Sequence, residues 1–239
     1  MRCHRWNDGS AAVYALLSIW ICVIISLVTS PDKGRETLAA AEKERLLLLD
    51  PGHGGLDGGA VSVTGTAESR INYDIAERCL YLGRFCGLHT AMTRDSYEID
   101  YPPEARSIAA RKKWDTRNRA SIANETPDAV LMSIHHNYYP SAKPHDAQVL
   151  YASNEPSRVL AEDLQTAFSA MLPSDNLRRA VPADRDIYLM SHVRCPAVLV
   201  ECGFLSNPEE AARLESAHYQ KKLSLVMIGV FCREQEHCT

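Results

Sequence analysis

Short apolar runs and helical stripes take turns along most of the chain. Residues 46–49, all leucine, run into Asp50-Pro51-Gly52, the pattern of a buried strand entering a glycine-rich loop. Residues 68–85 read as a helix whose apolar stripe runs through Ile71, Ile75, Cys79 and Leu82 to Cys86, closed by Gly87. Residues 88–93 read as a second strand. Residues 106–124 read as a charged surface helix punctuated by Pro127. A further apolar strand spans 129–134 and ends at His135-His136-Asn137. A strand at 149–152 precedes a helix over 159–172 that Pro173 stops. Residues 197–200 form another apolar strand, ending at Glu201. Pro208 opens a helix over 208–214 after Ser206 or Asn207 as cap, and a last helix covers 219–231. Strands alternating with helices at this spacing predict an α/β sheet with helices on both faces.

The first 45 residues break the alternation. Residues 11–28, AAVYALLSIWICVIISLV, carry no charge, and Arg2, Arg5, His4 and Asp8 precede them. At 1.5 Å per residue this run just spans a hydrocarbon core of roughly 30 Å. A basic start followed by an apolar run marks export, so residues 1–30 read as a signal peptide or a retained signal anchor. The anchor is favoured because the A-x-A pattern at 39–41 lies well beyond the apolar run. The lysine and arginine bias then puts the amino terminus inside and the rest of the chain outside. Residues 31–45 are polar and read as a linker, and 234–239 as a short C-terminal tail.

Composition narrows the class further. The chain has 239 residues, 46% hydrophobic and 23% charged, which excludes a disordered tail, a collagen-like rod or a multi-span membrane protein. A formal net charge of −4 excludes a nucleic-acid binder working through bulk positive charge. Of the eight cysteines, Cys3 and Cys22 belong to the export segment. No C-x-x-C occurs, so a thiolate zinc site is not expected. The others read mostly as core thiols, Cys79 and Cys86 on one helix face, with a bridge involving Cys232 or Cys238 left open.

The chemistry gathers where strands end. Asp50-Pro-Gly-His53-Gly-Gly, Ser133-Ile-His135-His136-Asn137 and Glu201-Cys-Gly-Phe-Leu-Ser-Asn207 each follow an apolar run. Ligand sites of open α/β sheets lie at the carboxyl ends of strands. Two imidazoles and a carboxylate match the ligands of a hydrolytic zinc with one position left for water. Each piece alone also fits a plainer role. The glycine-rich loop resembles a phosphate cradle but lacks the Lys-Ser/Thr ending. A buried histidine usually only hydrogen-bonds, and Glu201 could pair with an arginine. The residues alone lead as far as a metal hydrolase and no further.

Motif order carries more. LLLLDPGHGG, then Gly65-Thr-Ala-Glu68 with Asn72, Thr93-Arg94-Asp95, Arg119-Ala-Ser-Ile-Ala-Asn124, Ser133-Ile-His135-x-Asn137 and Pro196-Ala-Val-Leu-Val-Glu201-Cys-Gly-Phe-Leu-Ser-Asn-Pro-Glu-Glu210 succeed one another. This series resembles the zinc-dependent N-acetylmuramoyl-L-alanine amidases over about residues 46–233. Gln148-Val-Leu-Tyr151 and Lys113-Trp-Asp-Thr-Arg117 look most like the germination-specific amidases of spore formers. His136 departs from the family, which usually has a small, apolar or glutamine residue there.

The resemblance implies a single catalytic domain at 46–233, a twisted mixed sheet with flanking helices. It implies one zinc ion held by His53, Glu68 and His135, with Glu201 as the catalytic carboxylate. Asp50, Arg119 and Asn137 then support the site from behind or touch substrate, with Asp50 either orienting His53 or only forming the turn before Pro51. The implied reaction is hydrolysis of the muramic acid–L-alanine amide of peptidoglycan, in the spore cortex, outside the cytoplasmic membrane or secreted to the wall. An activating partner protein is compatible with this reading, and no motif marks one. A zinc peptidase acting on stem peptides and a non-catalytic, membrane-tethered wall-binding protein are the rival expectations.

Overall fold

The structure is a computed structural model, and it describes residues 45–172 and 178–236. The expected anchor, the linker up to residue 44 and Cys238 lie outside the described residues. Among the described residues no helix is long and apolar enough to cross a membrane.

Among the described residues six strands form one mixed sheet: β1 (Leu46–Pro51), β2 (Thr90–Met92), β3 (Ala129–Asn137), β4 (Gln148–Tyr151), β5 (Val181–Pro182) and β6 (Ala197–Phe204), in the order β2-β1-β3-β6-β4-β5. β2, β1, β3 and β6 run parallel; β4 is antiparallel to β6, and β5 is parallel to β4. The carboxyl ends of β1, β3 and β6 therefore open on one edge.

Alternation along these strands separates two cores. Leu47 and Leu49, Val130, Met132 and Ile134, and Val198 and Val200 face helices α1 (Glu68–Phe85), α3 (Glu155–Met171) and α6 (Ala217–Glu236). Leu48, Leu131, Ala197 and Leu199 face α2 (Ile108–Glu125) and the short α4 (Tyr188–His192). The remaining helix, α5 (Pro208–Leu214), follows β6 and adds Leu214 to the first core. The helices thus cover both faces, as the alternation predicts.

Caps explain where helices begin. The side chains of Ser107, Asn154 and Asn207 accept backbone N–H bonds at the starts of α2, α3 and α5. α3 starts at Glu155, earlier than its apolar stripe predicts, because Pro156 fits a first helical turn. Cys79 and Cys202 are buried core thiols, and burial pushes the Cys79 thiol up to about 12. Cys86 is exposed, against expectation: it is the C-cap of α1, where the stripe has already left the sheet.

Candidate metal and catalytic site

The loop between β1 and α1 carries the first ligand candidate. Gly54 and Asp57 exchange both backbone N–H···O bonds, at 2.9 and 3.0 Å, which folds the loop tightly. His53 takes φ 60° at its start, a conformation few non-glycine residues adopt and one that collects at functional sites. At the other end, Glu68 N–H donates to Ala60 O at 2.8 Å, and Ala60 N–H donates back to Glu68 Oε2 at 2.9 Å. The loop is thereby tied to the first turn of α1, with Glu68 buried beneath it.

His53, Glu68 and His135 converge, each offering a ligand atom within 4.8 Å of the others. His53 Nε2 lies 3.4 Å from Glu68 Oε2, and His135 Nδ1 lies 3.0 Å from Glu68 Oε1. Burial raises Glu68, but the bond from His135 and the charges of both imidazoles outweigh it and hold the carboxylate well below its usual range. The loop glycines make the room. A Cβ at Gly59 would stand 2.5 Å from Glu68 Oε2 and 2.7 Å from the His53 ring. At Gly52 it would stand 2.2 Å from the far edge of the His135 ring. The donor set and this cradle fit a zinc ion, since two imidazoles and a carboxylate leave a position for water. Gly52→Ala is therefore expected to lower zinc affinity by at least ~10-fold, measured by competition with a chromophoric chelator.

Glu201 faces His135 across the β3–β6 ladder, where the two are register partners. Its Oε2 is buried and has no hydrogen-bond partner among the described residues. Burial raises the carboxyl to about 7. A carboxylate poised near neutrality beside a metal-capable cluster is suited to proton transfer. Beyond Glu201 the ladder slips, three residues of β6 spanning two of β3. Glu210 accepts Phe204 N–H at 2.8 Å and Asp146 N–H at 2.9 Å, pinning the slipped strand.

The supporting residues divide. Asp50 does not orient His53: its oxygens accept from Thr93, Ser133 and Arg119 at 2.8, 2.7 and 3.1 Å. The carboxylate on His53 is Asp57, whose Oδ2 lies 2.9 Å from Nδ1. The turn through φ 60° aims the ring along the loop rather than back to β1. Arg119 bridges Asp50 and Asp115, a buried ion-pair chain under the loop. Asn137 Oδ1 accepts the N–H of Tyr138 at 2.8 Å. His145 pairs with Asp146, and His192 stacks on Tyr188.

Two residues that the sequence leaves without a role brace Glu68. Asn72, one turn along α1, donates to Gly52 O at 2.9 Å and to Glu68 Oε1 at 3.3 Å. Its Oδ1 accepts from His136 Nδ1 at 2.7 Å, while His136 N–H donates to Glu68 Oε1 at 3.1 Å. His136 continues the row of Ile134 toward α1, and burial lowers its imidazole to about 4, so it sits neutral. The i, i+4 spacing of Glu68 and Asn72 was the available signal.

Known proteins resemble this chain in sequence and in fold. Residues 47–228 match the family model described as N-acetylmuramoyl-L-alanine amidase. The germination-specific N-acetylmuramoyl-L-alanine amidase of Bacillus subtilis is 36% identical over 185 residues, 75% of each chain. The CwlD amidase from Clostridioides difficile, solved in complex with the GerS lipoprotein, superposes with a TM-score of 0.75 at 29% identity, covering 82% of this chain and 100% of that one. The amidase AmiC2 of Nostoc punctiforme, at 22% identity, shares the fold with a TM-score of 0.68 over 81% of this chain and 98% of its own. The chain belongs to the N-acetylmuramoyl-L-alanine amidase family.

Proposed function

We propose that this chain hydrolyses the amide bond between N-acetylmuramic acid and L-alanine in peptidoglycan, using one zinc ion held by His53, Glu68 and His135. The observation that carries the reading is the buried, unpartnered Glu201 Oε2 facing the His–Glu–His cluster. When bound, zinc supplies Lewis acidity: it makes water nucleophilic near neutral pH and polarises the scissile carbonyl. Glu201 takes the proton of the attacking water and delivers it to the departing alanine amine. Its carboxyl, raised to about 7, can do both near neutral pH. Glu68, fixed by Ala60, Asn72 and the His136 backbone, keeps the two imidazoles at a set separation.

The domain boundaries we propose are an export segment at 1–30, a linker at 31–45, the catalytic domain at 46–233 and a tail at 234–239. The family match over 47–228 supports the third of these. Export accords with a wall substrate, and the anchored form rests on the apolar run at 11–28. A role in the spore cortex is supported by the germination-specific relative. A partner protein is supported by the lipoprotein bound to the Clostridioides difficile amidase.

The test is mass spectrometry of peptidoglycan fragments after digestion by the purified full chain, with and without a chelator. The expected result is chelator-sensitive release of peptides with a free N-terminal alanine. Cleavage elsewhere in the stem would replace the reading with a zinc peptidase. No cleavage by the zinc-loaded chain, alone or with a lipoprotein partner, would replace it with a binding role.

A further inference from the structure

The two imidazoles of the cluster are supported in different ways. His135 presents Nδ1 to Glu68, and its far edge lies against Gly52, where no side chain stands. His53 does the opposite. Its Nε2 is turned to Glu68, and its Nδ1 meets the carboxylate of Asp57 at 2.9 Å. Both ring nitrogens face a carboxylate, but only the 2.9 Å contact to Asp57 is a hydrogen bond, while Nε2 stays 3.4 Å from Glu68 Oε2; the proton therefore sits on Nδ1, and the Nε2 lone pair is left for a metal.

Asp57 is itself held on three sides. Its backbone exchanges both ladder bonds with Gly54, its Oδ1 accepts Gly59 N–H at 3.3 Å, and Lys112 Nζ reaches its Oδ2 at 3.4 Å. Lys112 comes from α2, on the opposite face of the sheet from α1. His53 is thus buttressed by the loop that carries it and by a helix that does not.

We propose that Asp57 is the positioning residue of the metal centre, locking His53 as the Nδ1–H tautomer with Nε2 directed at the site, and that Lys112 steadies it. The inference rests on the reading of His53, Glu68 and His135 as zinc ligands. A carboxylate behind a ligating imidazole fixes the ring and raises its basicity, and its loss typically lowers metal affinity 10- to 100-fold. Lys112 acts through an exposed ion pair, so its effect is smaller, no more than about 5-fold.

The test measures zinc affinity of the full chain by chelator competition, alongside long-range proton–nitrogen spectra of the imidazoles. Asp57→Asn keeps the shape and removes the charge. It is expected to weaken zinc binding by about 10- to 100-fold. It should also turn the single Nδ1–H tautomer of His53 into a mixture, because an asparagine amide can donate as well as accept. Asp57→Glu should restore the single tautomer. An Asp57→Asn protein that binds zinc within about 2-fold of its parent, with the tautomer unchanged, would overturn the assignment to Asp57. If that variant does not fold, the parent decides, since an Nε2–H ring at His53 sinks the proposal without any substitution. A parent chain that binds no zinc would instead overturn the metal reading on which the proposal rests.

Discussion

Glu201→Gln is expected to lower peptidoglycan amide hydrolysis by about 10²- to 10⁴-fold, the range for loss of a positioned proton-transfer group. Zinc content should be unchanged, because His53, Glu68 and His135 converge without Glu201. Stability separates this outcome from simple damage. In the folded chain burial raises the Glu201 carboxyl from 4.5 to about 7. The folded state therefore holds this proton more tightly than the unfolded chain. Between those two values stability falls as pH rises, by up to about 3 kcal/mol for a shift of this size. Glutamine carries no such penalty. With a chelator present and above pH 7, Glu201→Gln should melt no lower than its parent. A variant that loses activity and also melts lower would mark Glu201 as structural. Full activity in the variant would remove the proposed mechanism.

Arg119→Met is expected to cause the largest loss of stability, about 3–5 kcal/mol, as breaking a buried ion pair does. Arg119 donates to Asp50 Oδ2 and to Asp115 Oδ2, both at 3.1 Å. Asp50 is fully buried; burial pushes its carboxyl up, and Arg119 with the Ser133 and Thr93 hydroxyls brings it below the usual value. Without the guanidinium, Asp50 keeps two hydroxyl donors and Asp115 becomes an unpaired buried acid. A loss of this size is a large fraction of the roughly 5–15 kcal/mol that holds a typical domain folded. Urea denaturation measures it through the midpoint. The double variant Asp50→Asn/Arg119→Met should recover part of the loss, since the stranded charge is then gone. Equal midpoints for Arg119→Met and its parent would show that the ion-pair chain contributes nothing net.

The strands and long helices were legible because their apolar spacing is strong. The leucines of β1 and the stripe Ile71, Ile75, Cys79 needed no tertiary context. What escaped was set by geometry that spacing does not encode. β3 and β6 continue past their apolar runs to Asn137 and Phe204, because backbone ladder bonds persist where the side chains turn polar. β5 and α4, of two and five residues, are too short to leave a period. In the site, the residues alone reached only a metal hydrolase, and Glu68 entered through the ordered motifs of a family. Asp50 was the nearer carboxylate in the β1 motif, yet the left-handed turn at His53 hands the ring to Asp57. His136 stood out as a departure, and its link through Asn72 to Glu68 depends on how α1 overlies β3.

The margins of the sheet bear on self-association. Among the described residues they are β2, three residues long, and β5, two residues long and ending in Pro182. An open strand is a template on which a second chain can add itself, and proteins blunt such templates by shortening them or placing proline there. A chain whose sheet margins offer almost nothing to copy gains resistance to self-association wherever it is crowded. The long strands that bear the chemistry are all interior, so the part of this fold most prone to fibril growth is kept beyond the reach of neighbouring chains.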